Sequence, residues 1–268
     1  KMEQKQREKM TRLVDTFTKL REKKRKAFIP FITAGDPTPS ATEQYILELA
    51  EAGADVIELG LPFTDPLADG PTIQASHVRA LRKHVMPNNI FAIVRNVRKK
   101  VQIPILLMGS FNLIAAPGIR TFLEKAASAG VDGLIVPDLP PEEAAEYTAE
   151  AKKRNLDTVF LAAPTSTQDR IGDIVRASTG FIYLVSLTGT TGARPSLPGE
   201  IVESIARVRA ATSKPICVGF GISTPEQAKK IARLSDGVIV GSAIVSRMAM
   251  KKPIGSFARA LARAIHSA

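Results

Sequence analysis

Two carboxylates separated by eleven positions are the clearest candidates for acid–base chemistry in this chain of 268 residues. Glu58 stands near the end of an apolar run, and Asp69 follows a proline-containing loop, directly before a glycine. A desolvated carboxyl group on a rigid strand has a raised pKa and can donate a proton, whereas a more solvated one stays anionic. The pair therefore predicts divided acid and base roles.

Each of these carboxylates also has a purely structural explanation. Glu58 alone could form a salt bridge or a cap, and Asp69 alone could be a turn residue. Asp65, in the same loop, is as good a candidate as Asp69 by residue type. Only a resemblance or a structure can choose between the two aspartates.

Glycine-rich segments supply a second candidate feature, which is an anion site. They are Thr188-Gly-Thr-Thr-Gly-Ala193, Val218-Gly-Phe-Gly-Ile-Ser-Thr-Pro225 and Val240-Gly-Ser-Ala243. Glycines let backbone N–H groups approach an anion, and a helix that begins at Ser242 would add its positive N-terminal end. Three such segments predict a phosphorylated ligand, although any one of them could be only a tight turn.

Other catalytic chemistries have little support. The histidines, His77, His84 and His266, are interpreted as surface, packing or terminal residues, and none has a recognisable Ser or Cys partner for a nucleophilic triad. The single cysteine, Cys217, excludes an internal disulfide, and three histidines cannot supply a Cys/His metal cluster. We therefore expect no metal and a reducing, cytoplasmic compartment.

Short apolar runs alternate with helical patterns along the whole chain. The runs are Phe28–Thr33, Asp55–Leu59, Pro104–Met108, Gly133–Val136, Thr158–Leu161, Phe181–Val185, Pro215–Val218 and Gly237–Val240. Helical segments between them include Thr42–Ala52, Pro141–Arg154, Glu200–Ala211 and Pro225–Leu234. Nearly continuous apolar runs are typical of parallel strands that are buried on both faces. The sequence predicts an α/β protein with one (β/α)8 barrel over residues 27–268; the alternative is an open doubly wound sheet.

A basic segment precedes this pattern. Residues 1–26 hold eleven Lys and Arg against four acidic residues, in a chain of net charge +11. Leu13, Phe17 and Leu20 are spaced as on one helix face, so we expect an amphipathic helix that docks this face and leaves its lysines solvated. RNA or membrane binding is the alternative, but no Trp is present to stack bases and no apolar stretch is long enough to span a bilayer. The expected partners include neither nucleic acid nor membrane, and the acidic residues of the segment argue against a transit peptide.

Several longer motifs together resemble one family. The most specific is Pro62-Phe-Thr-Asp-Pro-Leu-Ala-Asp-Gly-Pro-Thr-Ile-Gln74; others are Phe31–Pro37, Asp55–Gly60, Val136–Pro140, Tyr183–Arg194, Gly219–Ser223 and Gly241–Val245. From Phe28 to Val245 the chain is similar to the α subunits of tryptophan synthase. The resemblance implies a lyase of tryptophan biosynthesis that cleaves indole-3-glycerol phosphate, by a retro-aldol reaction, to indole and glyceraldehyde 3-phosphate.

The resemblance also implies roles for individual residues. Glu58 would move protons at indole C3 and at the glycerol hydroxyl, Asp69 would meet the ring N–H, and Tyr183 would position Glu58 and the substrate. Phe31 would form a wall of the indole pocket. The remaining substrate-binding residues, which match phosphate-binding positions, would be Thr191, Gly192, Gly221, Gly241 and Ser242.

A partner is implied in the same way. The resemblance implies a β subunit in an α2β2 heterotetramer; this subunit would carry pyridoxal phosphate and receive the indole directly, so no cofactor is expected in this chain. The segments 65–69 and 188–194 resemble mobile lids that contact the partner.

One segment departs from the family. The family usually has Met-Gly-Tyr-Tyr-Asn-Pro where this chain has Met108-Gly-Ser-Phe-Asn-Leu113. The loss of two phenols motivates a second hypothesis, a catalytically weak subunit that mainly activates its partner. A third is another phosphate-binding barrel, such as an isomerase.

Overall fold

The computed structural model describes residues 10–65, 69–185, 199–219 and 221–268. Within these ranges nine parallel strands form one sheet. They are β1 Ala27–Thr33, β2 Ile57–Gly60, β3 Ile105–Met108, β4 Gly133–Ile135, β5 Asp157–Val159, β6 Leu161–Ala162, β7 Ile182–Val185, β8 Ile216–Gly219 and β9 Gly237–Val240.

The sheet closes on itself as a barrel. Its order is β5-β4-β3-β2-β1-β9-β8-β7-β6, and β1 pairs with both β2 and β9. The two ends of this order, β5 and β6, are consecutive in the chain and are separated only by Phe160, whose carbonyl accepts a hydrogen bond from the Tyr183 amide at 3.1 Å. The predicted barrel is confirmed, and the open sheet is excluded. The prediction of eight strands is corrected in one place, because the fifth run breaks at Phe160 and pairs with β4 before the break and β7 after it.

Helices alternate with these strands. They are α1 Arg12–Glu22, α2 Pro39–Glu51, α3 Pro71–Leu81, α4 Pro87–Arg98, α5 Phe111–Ala115, α6 Ile119–Ala129, α7 Ala145–Lys153, α8 Gln168–Ala177, α9 Gly199–Ala211, α10 Pro225–Ala232, α11 Ser242–Ala249 and α12 Gly255–His266. The single helix predicted over Pro141–Arg154 begins instead as a 3-10 turn, Pro141–Glu143, before α7. No helix in the described ranges is both long and apolar enough to cross a membrane.

The alternation of side chains along each strand separates two apolar layers. Ile57 and Leu59 of β2 pack into the outer layer between the sheet and the helices, whereas Val56, directly before β2, belongs to the layer that fills the barrel. Successive strand residues point to opposite faces, so Glu58 shares the inward direction of Val56. A carboxyl group is thereby directed into a space otherwise filled by residues such as Leu106 and Ile239.

Helix α1 packs against the inner layer. Leu13, Phe17 and Leu20 are buried there, and the rings of Phe17 and Phe181 lie 5.7 Å apart. Thr11 caps the helix and its hydroxyl donates to Asp157 at 2.5 Å, at the amino-terminal end of β5. The predicted docking of this face is confirmed, and the helix covers the end of the barrel opposite to the carboxyl ends of the strands. The boundary between residues 1–26 and the barrel stays a prediction, and residues 1–9 lie outside the described part.

Candidate active site

A cavity of about 360 Å³ opens at the carboxyl ends of β1, β2 and β3. Phe31, Leu61 and Met108 form apolar walls, and Asp69 and Asp138 contribute polar groups. Ligand pockets of this kind, apolar with a few polar groups, are typical of barrel enzymes at this end of the sheet. The cavity has the character of a site for a largely apolar ligand that also carries polar atoms.

Glu58 lies below this cavity, one inward-facing position before Gly60, which lines it. The side chain is fully buried, and neither carboxyl oxygen has a hydrogen-bond partner among the described residues. Burial, with a further contribution from the negative charge of Asp69, raises the pKa of Glu58 from 4.5 to about 8. An unpaired carboxylate is costly in such surroundings, so the group is mainly protonated at neutral pH and can act as a proton donor.

Asp69 differs from Glu58 in solvation. Its side chain is 21% exposed, and burial raises its pKa only to about 6. At neutral pH Asp69 is therefore mainly ionised while Glu58 is mainly protonated. Asp65 is exposed and accepts a hydrogen bond from the neighbouring Thr64 hydroxyl at 2.9 Å. The structure thus separates the two aspartates that residue type alone could not rank.

Tyr183 and Phe31 each pack closely against a glycine on the adjacent strand, where any larger residue would meet the ring. A Cβ atom at Gly219 would lie 2.6 Å from the Tyr183 hydroxyl, and one at Gly60 would lie 2.5 Å from Cζ of Phe31. Burial, followed by the charges of Glu58 and Asp69, raises the pKa of Tyr183 well above its ordinary value. The phenol therefore stays a hydrogen-bond donor near both carboxyl groups.

The expected anion site is only partly described. Helix α11 begins at Ser242, as predicted, and the carbonyl of Gly241 accepts the amides of Ile244 and Val245 at 2.9 and 3.0 Å. The amides of Ser242 and Ala243 precede these bonds and point out of the helix start. Apart from its chain neighbours, no atom of the described residues lies within 4 Å of where a Cβ of Gly221 would be, so these residues leave space there for a ligand. Thr191, Gly192 and the expected lid 188–194 lie outside the described residues, as do residues 66–68 of the other expected lid.

His77 is a residue of this site that sequence reasoning missed. The sequence predicts a surface or packing residue; His77 is buried, as a packing residue would be, but it also lines the cavity and places Nε2 3.7 Å from an Asp69 carboxyl oxygen. The available signal was helix phase, because His77 follows the buried Ile73 by four positions and shares its face of α3. His84 is exposed, as predicted, and His266 contacts Asp55 at 2.8 Å, close to the amino-terminal end of β2.

The segment that departs from the family is anchored by Asp138. The Ser110 hydroxyl donates to one carboxyl oxygen of Asp138 at 2.6 Å, and the Phe111 amide donates to the other at 2.8 Å. Ser110 also caps α5 by accepting the Asn112 amide. The rim at this segment is therefore polar and held by hydrogen bonds to Asp138.

Comparisons with known proteins agree on one family. Residues 17–264 match the family model described as tryptophan synthase alpha chain. Curated proteins of that name include one from Geobacter sulfurreducens, 48% identical over 96% of this chain and 99% of its own, and one from Citrifermentans bemidjiense, 52% identical over 88% of each. The crystal structure of tryptophan synthase subunit alpha from Legionella pneumophila superposes with a TM-score of 0.90 at 36% identity, covering 97% of this chain and 100% of that one.

Proposed function

The chain belongs to the tryptophan synthase alpha chain family, and from that membership we propose that it cleaves indole-3-glycerol phosphate to indole and glyceraldehyde 3-phosphate. Its family makes it a lyase subunit of tryptophan biosynthesis. One observation carries the assignment of the chemistry: a buried, unpaired carboxyl group with a pKa of about 8 interacts with a partly exposed one of about 6, next to an apolar cavity.

The reaction breaks a carbon–carbon bond and needs an electron sink. Protonation of indole C3 by Glu58 produces that sink, because positive charge then develops at the ring nitrogen. The ionised Asp69 accepts the ring N–H and stabilises this charge in a largely desolvated site. Glu58 then removes the proton of the adjacent hydroxyl, the carbon–carbon bond breaks as its electrons return to the ring, and the aldehyde forms. Glu58 ends the cycle protonated, as it began.

Tyr183 and Phe31 complete the proposed site. The phenol would donate a hydrogen bond that orients the carboxyl group of Glu58 and the substrate, since its pKa keeps it protonated. The Phe31 ring would pack against indole, and its fixed contact with Gly60 supports that role. The phosphate would bind Gly221, Gly241 and Ser242, with Thr191 and Gly192 as the family resemblance implies.

The family implies a β subunit as partner. We propose an α2β2 assembly in the cytoplasm, in which the β subunit carries pyridoxal phosphate and takes up the indole, while this chain holds no cofactor. The exposed position of Asp65 at the cavity supports a contact with the partner rather than a catalytic role.

A second candidate function is supported by the Ser110 and Phe111 departure, which changes the rim of the cavity. A chain with a weakened site would mainly activate the β subunit. The intact arrangement of Glu58, Asp69 and Tyr183 favours cleavage over this alternative.

One assay separates these functions. The purified chain is incubated with indole-3-glycerol phosphate, with and without β subunit, and glyceraldehyde 3-phosphate is followed. Turnover in both conditions is expected. Activation of the β reaction without cleavage would support the second function. If the chain shows neither cleavage nor activation, both functions are contradicted, and another phosphate-binding barrel is the remaining hypothesis.

A further inference from the structure

A single buried side chain, that of His77, contacts residues near both ends of the segment that joins β2 to α3. His77 accepts a hydrogen bond at Nδ1 from the Phe63 amide at 3.1 Å, and its Nε2 lies 3.7 Å from Oδ2 of Asp69. Phe63 stands six positions before Asp69, so the ring links the start of the segment to the carboxylate at its end. The side chain of His77 is only 6% exposed, so packing restricts the orientation of the ring.

The hydrogen bond from Phe63 determines the tautomer of the ring. Because Nδ1 accepts the hydrogen bond from the Phe63 amide, the neutral imidazole carries its own proton on Nε2, on the side of Asp69. Burial lowers the pKa of His77, against smaller opposing contributions from the Phe63 hydrogen bond and the Asp36 charge. Asp36 is itself paired with Arg79 at 2.7 Å through both carboxyl oxygens. His77 is therefore a neutral N–H donor that faces an ionised carboxylate.

We propose that His77 is the positioning residue for Asp69: its Nε2–H orients the ionised carboxylate toward the substrate ring N–H, while Nδ1 anchors the backbone at Phe63. This inference rests on the proposed function, since it requires that Asp69 act in its ionised form. The distance of 3.7 Å is longer than a hydrogen bond, and catalytic contacts of this kind commonly shorten when substrate binds.

The unpaired Nε2 atom of His77 indicates that the ring does more than fill space in the core. Nε2 of His77 has no hydrogen-bond partner in the described ranges, and a buried donor without an acceptor destabilises the fold. Among the described residues, Asp69 interacts with Glu58 from β2, Tyr183 from β7 and His77 from α3. Asp65 and Asp138 line the same cavity. A second carboxyl group opposes ionisation of Asp69, whereas an N–H donor favours it.

Two substitutions test the contacts of the two ring nitrogens of His77 separately. In His77→Asn the amide reaches the position of Nδ1, so it can still accept from Phe63 but cannot reach Asp69. In His77→Gln the amide reaches the position of Nε2, so it keeps a donor for Asp69 and loses the anchor. Both variants are compared with the unmodified chain for kcat and KM of cleavage with β subunit, from about pH 5 to about pH 9, and for thermal unfolding.

We expect His77→Asn to move the acid limb of the kcat profile upward by about one pH unit, because Asp69 loses a donor to its ionised form. Activity would fall about tenfold on the acid side and much less above neutrality. His77→Gln should keep the acid limb of the unmodified chain and change mainly KM and thermal stability. If His77 had only a packing role, the two variants would not differ in the position of the acid limb.

Other outcomes overturn the proposal. An unmoved acid limb in folded His77→Asn, or the same shift in both variants, would contradict it while leaving the cleavage function in place. Absence of cleavage by the unmodified chain would overturn the proposed function first and this inference with it. If His77→Asn does not fold, the Asp69 carboxyl titration in His77→Gln, followed by NMR, must match that of the unmodified chain; a shift there would contradict the proposal.

Discussion

Glu58→Gln should remove cleavage and change how the stability of the barrel depends on pH. Removing a general acid costs about 10²- to 10⁴-fold in rate. The fully buried Glu58 has a pKa raised from 4.5 to about 8, so between these values the unfolded chain releases a proton that the folded chain retains. In this window the unmodified chain therefore loses stability as pH rises, by about 1.4 kcal/mol per pH unit, and the loss ends above about pH 8.

Glutamine has no proton to lose, so the variant lacks this dependence. The difference in unfolding free energy between the variant and the unmodified chain should rise by about 3 kcal/mol between pH 4.5 and pH 7, in favour of the variant. Burying an amide in place of a protonated carboxyl group changes the unfolding free energy by the same amount at every pH, so it does not affect this pH-dependent difference. Urea unfolding at a series of pH values measures this difference, and the cleavage assay measures the loss of activity.

Asp65→Asn is the matched control for this experiment, because Asp65 is exposed and hydrogen-bonded only to a neighbouring hydroxyl among the described residues. Only the pH trend that Glu58→Gln shows beyond that of Asp65→Asn is assigned to the burial of Glu58. A flat difference for Glu58→Gln, or near-normal indole release by that variant, would refute the reasoning about a buried proton donor.

Three further perturbations test the site and its support. Asp69→Asn should abolish most turnover with or without β subunit, whereas Asp65→Asn should mainly weaken the coupling to that partner; equal losses without β subunit would contradict this distinction. Gly219→Ala places a methyl group 2.6 Å from the Tyr183 hydroxyl, so kcat should fall at nearly unchanged circular dichroism, and unchanged kinetics would argue against a positioning role for the phenol. Leu13→Ala removes most of a fully buried side chain of α1 and should lower the unfolding free energy by about 2 to 5 kcal/mol, with nearly normal kcat in the folded fraction. A small change in stability would contradict the packing of α1 against the end of the barrel.

Local patterns were sufficient for much of this architecture. Continuous apolar runs identify parallel strands, and the spacing of Leu13, Phe17 and Leu20 identifies the docked face of α1, because both signals depend only on side-chain periodicity. The inward direction of Glu58 follows from the same alternation. The resemblance of Pro62–Gln74 then supplied the family that the comparisons confirm.

What the sequence could not provide depends on contacts between distant segments. Residue type alone could not rank Asp69 above Asp65; the family resemblance does so, and the physical difference between them, their unequal burial, is visible only in the structure. The proximity of His77 to Asp69 depends on how α3 is rotated against the barrel. The anchoring of Ser110 by Asp138 joins segments that are 28 positions apart.

The central claim is that cleavage needs Glu58 protonated and Asp69 ionised at the same time. The pH dependence of kcat for cleavage tests this claim most directly, because pKa values of about 6 for Asp69 and about 8 for Glu58 predict a bell-shaped profile with its maximum near neutrality. Activity that rises through pH 8 without a basic limb, at a rate limited by chemistry, would contradict the account.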